Sequence, residues 1–284
     1  FNAPTILARQ LATLDNITKG RVAVHIITGG RDLELQADGD HTTKAQRYDR
    51  TREYLDIVRK EWSATTPFDY QGTFYTVNGA HSLVHPYRES GIPVYFAGSS
   101  PEAIAVAGQH ADVYALWGET YEQVAETVAQ VRASAAKHGR TPRFSLSLRP
   151  ILAETEEKAW AKADAILEKA RALQDKTGYE RPADIPNEGS RRLLAAAAQG
   201  RRLDKRLWTG IAELTGAKGN STSLVGTPEQ VAEALLDYYR LGISTFLIRG
   251  FDPLIDAYEY GRDLLPLVKK LVAEEDARTT AQAA

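Results

Sequence analysis

The run Gly98-Ser99-Ser100 leads directly into Pro101-Glu102, so a glycine, two hydroxyls and the free N–H groups of a helix start would meet at one point. Such a point carries partial positive charge and suits a phosphate monoester, although an ordinary helix cap has the same residues. It lacks the GxGxxG glycines of a dinucleotide fold and the lysine of a P-loop. Tyr48, in Gln46-Arg47-Tyr48-Asp49-Arg50, offers a hydroxyl to such a phosphate or a ring to the core. Thr28-Gly29 closes a β-branched run, and Thr28 can bond a ligand's ring carbonyl or simply stop the strand. Trp117-Gly118 puts a large ring at another strand end, against a planar ligand or inside the core. Arg149 and Arg249 end two further strands, where guanidinium groups would orient an anionic substrate by paired hydrogen bonds. Salt bridges to Glu154 or Asp252 are the structural alternative. The six histidines show no HExxH spacing and no carboxylate partner, so no metal centre is expected.

These residues stand at the ends of five strands of one design: Val22–Ile27, Pro93–Gly98, Asp112–Gly118, Arg143–Arg149 and Ile243–Gly250. Each is a short hydrophobic run followed by a helical pattern, which implies a parallel sheet with right-handed crossovers. Functional groups collect at the carboxyl ends of such strands. A helix opens the chain, with Asn2 as cap, Pro4 in the first turn and Ile6, Leu7, Leu11, Leu14 and Ile17 on one apolar side. A long helix spans about 45–62, with Tyr48, Leu55, Val58 and Trp62 at helical spacing. Residues 68–77 read as a hairpin outside the main sheet. Thr155 begins a helix, and Thr227-Pro228-Glu229-Gln230 is a capping-box start. Between about 176 and 221 the pattern breaks into Pro-, Gly- and Arg-rich sequence with helical pieces near 188–198 and 207–214; so long an interruption is usually functional. From Leu254 a closing helix is expected, fraying after Val272. Units of about 30 residues leave room for three more upstream in an eight-stranded barrel. That arithmetic favours, over a doubly wound sheet, a single domain over 1–275: a (β/α)8 TIM barrel lacking its first three βα units, with an insertion before the last strand and a polar tail at 276–284.

With 35 basic and 37 acidic residues the formal charge is −2, which leaves no basic field for nucleic acid or anionic membrane. A chain 43% hydrophobic and 25% charged has an ordinary globular composition. No stretch approaches the roughly 18 apolar residues of a membrane span. The absence of cysteine removes disulfides, thiolate metal sites and cysteine nucleophiles, which suits a cytoplasmic enzyme. The absence of methionine, with Phe1 first, suggests a fragment or a record from which methionines are missing.

The chain resembles the bacterial-luciferase-like flavin monooxygenases, closest to their alkanesulfonate monooxygenase branch. The matching stretches are Ala8 through Asp15 with Gly20-Arg21, the Thr28-Gly29 strand end, Gln46 through Arg50, Tyr95 through Ser100, Asp112-Val113-Tyr114 with Trp117-Gly118-Glu119, and Leu224-Val225-Gly226 through Gly250. The resemblance implies a TIM barrel, reduced FMN supplied by a separate NAD(P)H-dependent reductase, and a dimer or tetramer. The flavin phosphate would sit on Gly98, Ser99, Ser100 and Tyr48, with Thr28 and Gly29 nearer the ring and ribityl chain and Trp117 alongside. Reduced FMN and oxygen would oxidise the carbon bearing a sulfonate, releasing sulfite and an aldehyde. The 176–221 segment corresponds to the family's mobile insertion, a lid over the site. Two departures bear on substrate: an Arg-x-His pair of that branch is Ser147-Leu148-Arg149 here, and a Tyr after the last strand's glycine is Phe251. The lid arginine has Lys218 as its nearest counterpart. An F420-dependent oxidoreductase and a non-catalytic flavin-binding protein are the alternatives.

Overall fold

A computed structural model describes residues 2–180, 187–219 and 221–283. The chain forms two compact units, Phe1–Tyr114 with Val131–Pro142, and Ala115–Gln130 with Arg143–Ala284.

The first unit holds α1 (Pro4–Thr18), β1 (Val24–Ile26), α2 (Asp32–Ala37), α3 (Lys44–Ser63), the hairpin β2 (Phe68–Gln71) and β3 (Thr76–Ala80), β4 (Val94–Ala97) and α4 (Pro101–His110). It also holds the start of β5 (Val113–Trp117) and the end of α5 (Tyr121–Ala136). β4 lies between β1 and β5, and it pairs with β1 in parallel with Ile26 opposite Phe96. α3 starts at a full capping box, in which Thr43 accepts from the Gln46 N–H and Gln46 returns a bond to the Thr43 N–H. Its Leu55, Val58 and Trp62 are buried, as their spacing requires, and each such side chain contributes about 1.5–3 kcal/mol.

α1 turns differently from its sequence pattern. Ala3, not Asn2, is the cap residue, and the buried positions are Pro4, Ala8, Ala12 and Asp15, while Ile6, Leu14 and Ile17 are exposed. Small residues let α1 approach α3 closely enough for the Trp62 indole to donate to the Ala8 carbonyl at 2.9 Å. Asp15 in turn accepts from the Val22 and Tyr87 N–H groups. β1 is shorter than expected and its His25 is exposed; among the described residues this strand stands at the end of its sheet, beside β4. The hairpin is anchored by buried Glu53 of α3, whose carboxylate takes the Thr73, Phe74 and Tyr75 N–H groups at 2.8–3.2 Å. A Cβ at Gly72 would overlap that carboxylate, so the turn needs glycine.

The second unit continues with β6 (Arg143–Leu148), β7 (Ile151–Leu152), α6 (Glu156–Thr177), α7 (Glu188–Gln199), β8 (Arg202–Leu203), β9 (Leu207–Trp208) and α8 (Gly210–Thr215). It ends with β10 (Ser223–Gly226), α9 (Pro228–Arg240), β11 (Ile243–Ile248), α10 (Pro253–Glu259), a π-helical turn at Tyr260–Leu264 and α11 (Leu265–Ala283). β6 lies between β5 and β11 and pairs with β11 in parallel, Leu148 opposite Ile248. A second sheet has the order β7-β10-β9-β8, with β7 and β10 parallel and β9 antiparallel to both its neighbours. The sequence pattern misses this sheet, because two-residue strands are too short to show alternation. Where a helical piece near 207–214 is expected, β9 comes first and α8 begins only at Gly210. The closing helix is broken by the π turn and continues to Ala283 instead of fraying after Val272. Part of the expected insertion, residues 181–186 and 220, lies outside the described residues. α6 packs Ala159, Trp160, Ala163 and Leu167 against Ile151, Trp208, Ile211 and Val225, and Phe251 rests against this cluster. Among the described residues no helix is long and apolar enough to cross a membrane.

Candidate active site residues

In the first unit the carboxyl end of β4 runs into α4 through Gly98, Ser99 and Ser100. Gly98 has φ +129°, a conformation that side chains rarely adopt, and a Cβ there would come within 2.8 Å of the Ala103 Cβ and 3.4 Å of the Tyr48 hydroxyl. The bare glycine thus leaves a cradle between the α4 start and Tyr48. Tyr114 donates its hydroxyl to the Gly98 carbonyl and fixes the turn from beneath. Buried Ser100 caps the helix, accepting from the Ala103 N–H at 3.3 Å, and Pro101 occupies the first turn. This point already draws negative charge: the Glu102 carboxyl is held below its ordinary range by its own backbone N–H, then by Ser100, with Lys44 adding to the effect. The same donors, at the positive end of a helix, suit a phosphate monoester.

Thr28 lies two residues beyond Ile26 on β1, as Gly98 lies two beyond its partner Phe96 on β4. It is half-buried, and Gly29 beside it has φ +95°, where a Cβ would press on Leu35 at 2.7 Å. The structure therefore gathers Gly98, Ser100 and Tyr48 directly, with Thr28 on the neighbouring strand end. Lys44 is the cation of this region that the sequence pattern does not single out; it is one more lysine on a charged helix until α3 sets it near Glu102.

The second unit holds the other expected residues. Arg149 follows β6 and Arg249 follows its partner β11, so the two cations end adjacent strands. Arg149 is half-buried and donates from Nη1 to the Gly250 carbonyl at 3.0 Å, with its guanidinium carbon 5.2 Å over the Phe251 ring. Burial, and then the positive charge of Arg249, lower its proton affinity. Neither suggested salt bridge forms: Glu154 pairs with Lys158, and Asp252 accepts from the Ile255 N–H as the cap of α10. Trp117 is half-buried against the cluster of Leu193, Ala212 and Ala217, and a Cβ at Gly189 would lie 3.2 Å from its ring, so part of the indole serves packing with α7. Lys218 is exposed after α8.

One strong interaction is invisible in the sequence pattern. Glu119, two residues past Trp117, is 4% exposed and takes the Arg192 Nε at 3.0 Å and Nη2 at 2.9 Å. Burial raises the Glu119 pKa, a tendency that Arg192 opposes. Arg192 also bonds Glu126 and the Gln123 carbonyl, tying α7 to α5. The Trp117-Gly118-Glu119 run marks the carboxylate, but nothing local indicates its partner on α7.

Both units carry parallel strands whose carboxyl ends lead into helices or loops bearing polar residues. A family model for luciferase-like monooxygenases matches residues 1–245, and the chain belongs to that family, with its TIM-barrel-type α/β fold. Among solved structures it is similar to a riboflavin lyase determined with modified FMN and its substrate riboflavin, at 21% identity over 95% of this chain and 68% of that one, TM-score 0.76. It is similar to EDTA monooxygenase from Chelativorans sp. BNC1, at 20% identity over 95% and 71%, TM-score 0.73. An F420-dependent secondary alcohol dehydrogenase in complex with an F420–acetone adduct shares 18% identity over 93% and 75%, TM-score 0.64. At these identities the likeness shows the fold.

Proposed function

We propose that this protein is the oxygenase component of a two-component monooxygenase, using reduced FMN from a separate reductase to oxidise a small organosulfonate. Reduced FMN and oxygen supply the oxidising chemistry when bound. In balance, R–CH2–SO3⁻, FMNH2 and O2 give R–CHO, HSO3⁻, FMN and H2O: the carbon–sulfur bond breaks and the carbon gains a carbonyl oxygen. The observation that carries the reading is the pairing of Arg149 with Arg249 at the ends of two hydrogen-bonded strands. The positive charge of Arg249 disfavours that of Arg149, and an anion bound near these strand ends would offset it. The cradle of Gly98, Ser99, Ser100 and Tyr48 would hold the flavin phosphate, with Thr28 and Gly29 toward the rest of the cofactor.

The direct test supplies reduced FMN, oxygen and a panel of small sulfonates and measures sulfite. Release from at least one member is expected; flavin binding with no sulfite from any of them removes the substrate assignment. Arg149→Ala should spare FMN binding and abolish turnover. Ser99→Ala combined with Ser100→Ala should weaken FMN by roughly tenfold or more, as loss of charge-assisted hydrogen bonds worth about 1.5–3 kcal/mol each predicts.

The F420-dependent neighbour keeps a second reading in view, a deazaflavin oxidoreductase on the same scaffold. Cofactor titration separates the two: tight binding of reduced FMN without F420 affinity is expected, and the reverse would favour the dehydrogenase reading.

A further inference from the structure

A phosphate monoester at the start of α4 would bring roughly two negative charges to a place that already holds a carboxylate. Glu102, in the first turn of α4, is kept charged there by its own backbone N–H and then by Ser100. A helix start supplies only about half a positive charge, so a dianion calls for a further cation. The two arginines of α3 that flank Tyr48 are engaged elsewhere. Arg47 donates to the Thr42 carbonyl at 2.6 Å and to Asp32 at 2.8 Å, and Arg50 pairs with Asp40.

Lys44 differs from both. It is exposed, it is the first residue of α3, and it stands one turn before Tyr48, so the two side chains leave the same face of the helix about 6 Å apart along its axis. The Tyr48 hydroxyl borders Gly98, 3.4 Å from where a Cβ would stand, and Lys44 adds its charge to the groups acting on Glu102. The backbone around Lys44 is fixed. Thr43 and Gln46 close a capping box over it, while Arg47 and Asp40 hold Thr42 by its carbonyl and its N–H. A flexible cationic side chain thus springs from a firm point beside the cradle.

We propose that Lys44 sets the preference of this site for a flavin bearing a terminal phosphate over the same flavin without one, its ammonium pairing with the phosphate held at the Gly98–Ser100 turn. This rests on the assignment of that turn to the flavin phosphate. A compact charge on a four-carbon stem can swing from Glu102 to an arriving phosphate, which carries the greater charge. Riboflavin ends in a hydroxyl and offers the lysine no charge to pair with.

The test titrates the full chain with FMN and with riboflavin, followed by flavin fluorescence at low and at high salt. The wild-type protein should bind FMN more tightly than riboflavin, by a margin that shrinks as salt rises. Lys44→Gln should weaken FMN by about three- to tenfold, leave riboflavin unchanged and flatten the salt dependence of FMN binding. Lys44→Arg, which keeps the charge, should retain most of the preference. In a Glu102→Gln background Lys44→Gln should still weaken FMN, because the lysine acts on the phosphate and not merely by neutralising that carboxylate. Unchanged FMN affinity in Lys44→Gln, equal weakening of FMN and riboflavin, loss of the preference in Lys44→Arg, or no effect in the Glu102→Gln background would each overturn the proposal. If Lys44→Gln does not fold, Lys44→Ala is judged by the same criteria. A wild-type protein that binds FMN no more tightly than riboflavin would instead remove the phosphate assignment on which the proposal rests.

Discussion

Gly98 is the residue on which the proposed phosphate cradle turns. At φ +129° any side chain is strained, and a methyl group would also meet Ala103 and narrow the space before the Tyr48 hydroxyl. Gly98→Ala should therefore lower stability by about 1–3 kcal/mol and weaken FMN more than Ser99→Ala does, measured by thermal melting and by flavin fluorescence titration. A wild-type flavin affinity in Gly98→Ala would mean that the phosphate lies elsewhere. The capped helix start at Ser100-Pro101 was legible in the sequence because glycine, cap and proline are contiguous, and their local chemistry fixes the turn. Tyr48 was half legible: its helical spacing gave a face, and only the fold brought its hydroxyl to Gly98. Phe251 over Arg149 was not legible, since a cation–π contact joins residues distant in sequence and leaves no periodic trace.

At the scale of elements, α7 is held to the carboxyl end of β5 largely through Arg192 and Glu119. Removing one partner of a buried ion pair leaves an uncompensated charge and typically costs about 3–5 kcal/mol; with Arg192 itself 19% exposed, the lower end applies. Arg192→Met should lower the melting temperature and speed amide exchange along α7, while the double change Glu119→Gln with Arg192→Met should recover part of the loss. Equal exchange rates in wild type and Arg192→Met would show that α7 is held by its apolar side, Leu193 and Ala197, alone. The five central strands could be read from sequence because hydrophobic runs ending in glycine or a polar residue repeat. The four-stranded sheet could not, because its strands of two to four residues are defined by pairing partners and not by pattern.

For the whole molecule, the amino end of β5 sets a limit on acid stability. His110, at the end of α4, is 3% exposed, and its Nε2 is 3.5 Å from Asp56, too far for a good hydrogen bond. Burial, with Arg59, Arg140, Arg52 and His138 adding repulsion, lowers its pKa from 6.5 to about 3. The unfolded chain thus binds a proton at His110 that the folded protein refuses. The stability from the neutral ring is complete above 6.5 and is lost as pH falls toward 3, by at most about 1.4 kcal/mol per pH unit for one proton. Urea unfolding across this window should show the slope in wild type and a shallower one in His110→Leu. Equal slopes in the two would assign the acid sensitivity to other groups.

The chain leaves the first unit after Tyr114 and returns to it at Val131, and that detour governs the order of assembly during synthesis. Asp112 receives Arg140 at 2.6 Å as well as Arg59 at 2.9 Å, so the clamp beneath β5 closes only after the returning segment has left the ribosome. By then the strand and the first turns of α5 that belong to the second unit are already made, while nearly all of that unit is still to come. A nascent chain halted just short of Arg140 would hold most of the first unit's residues and still lack one jaw of its clamp. Arrested chains of increasing length should therefore gain protease resistance in one step once residue 142 has emerged from the ribosome, not gradually as residues beyond 114 emerge.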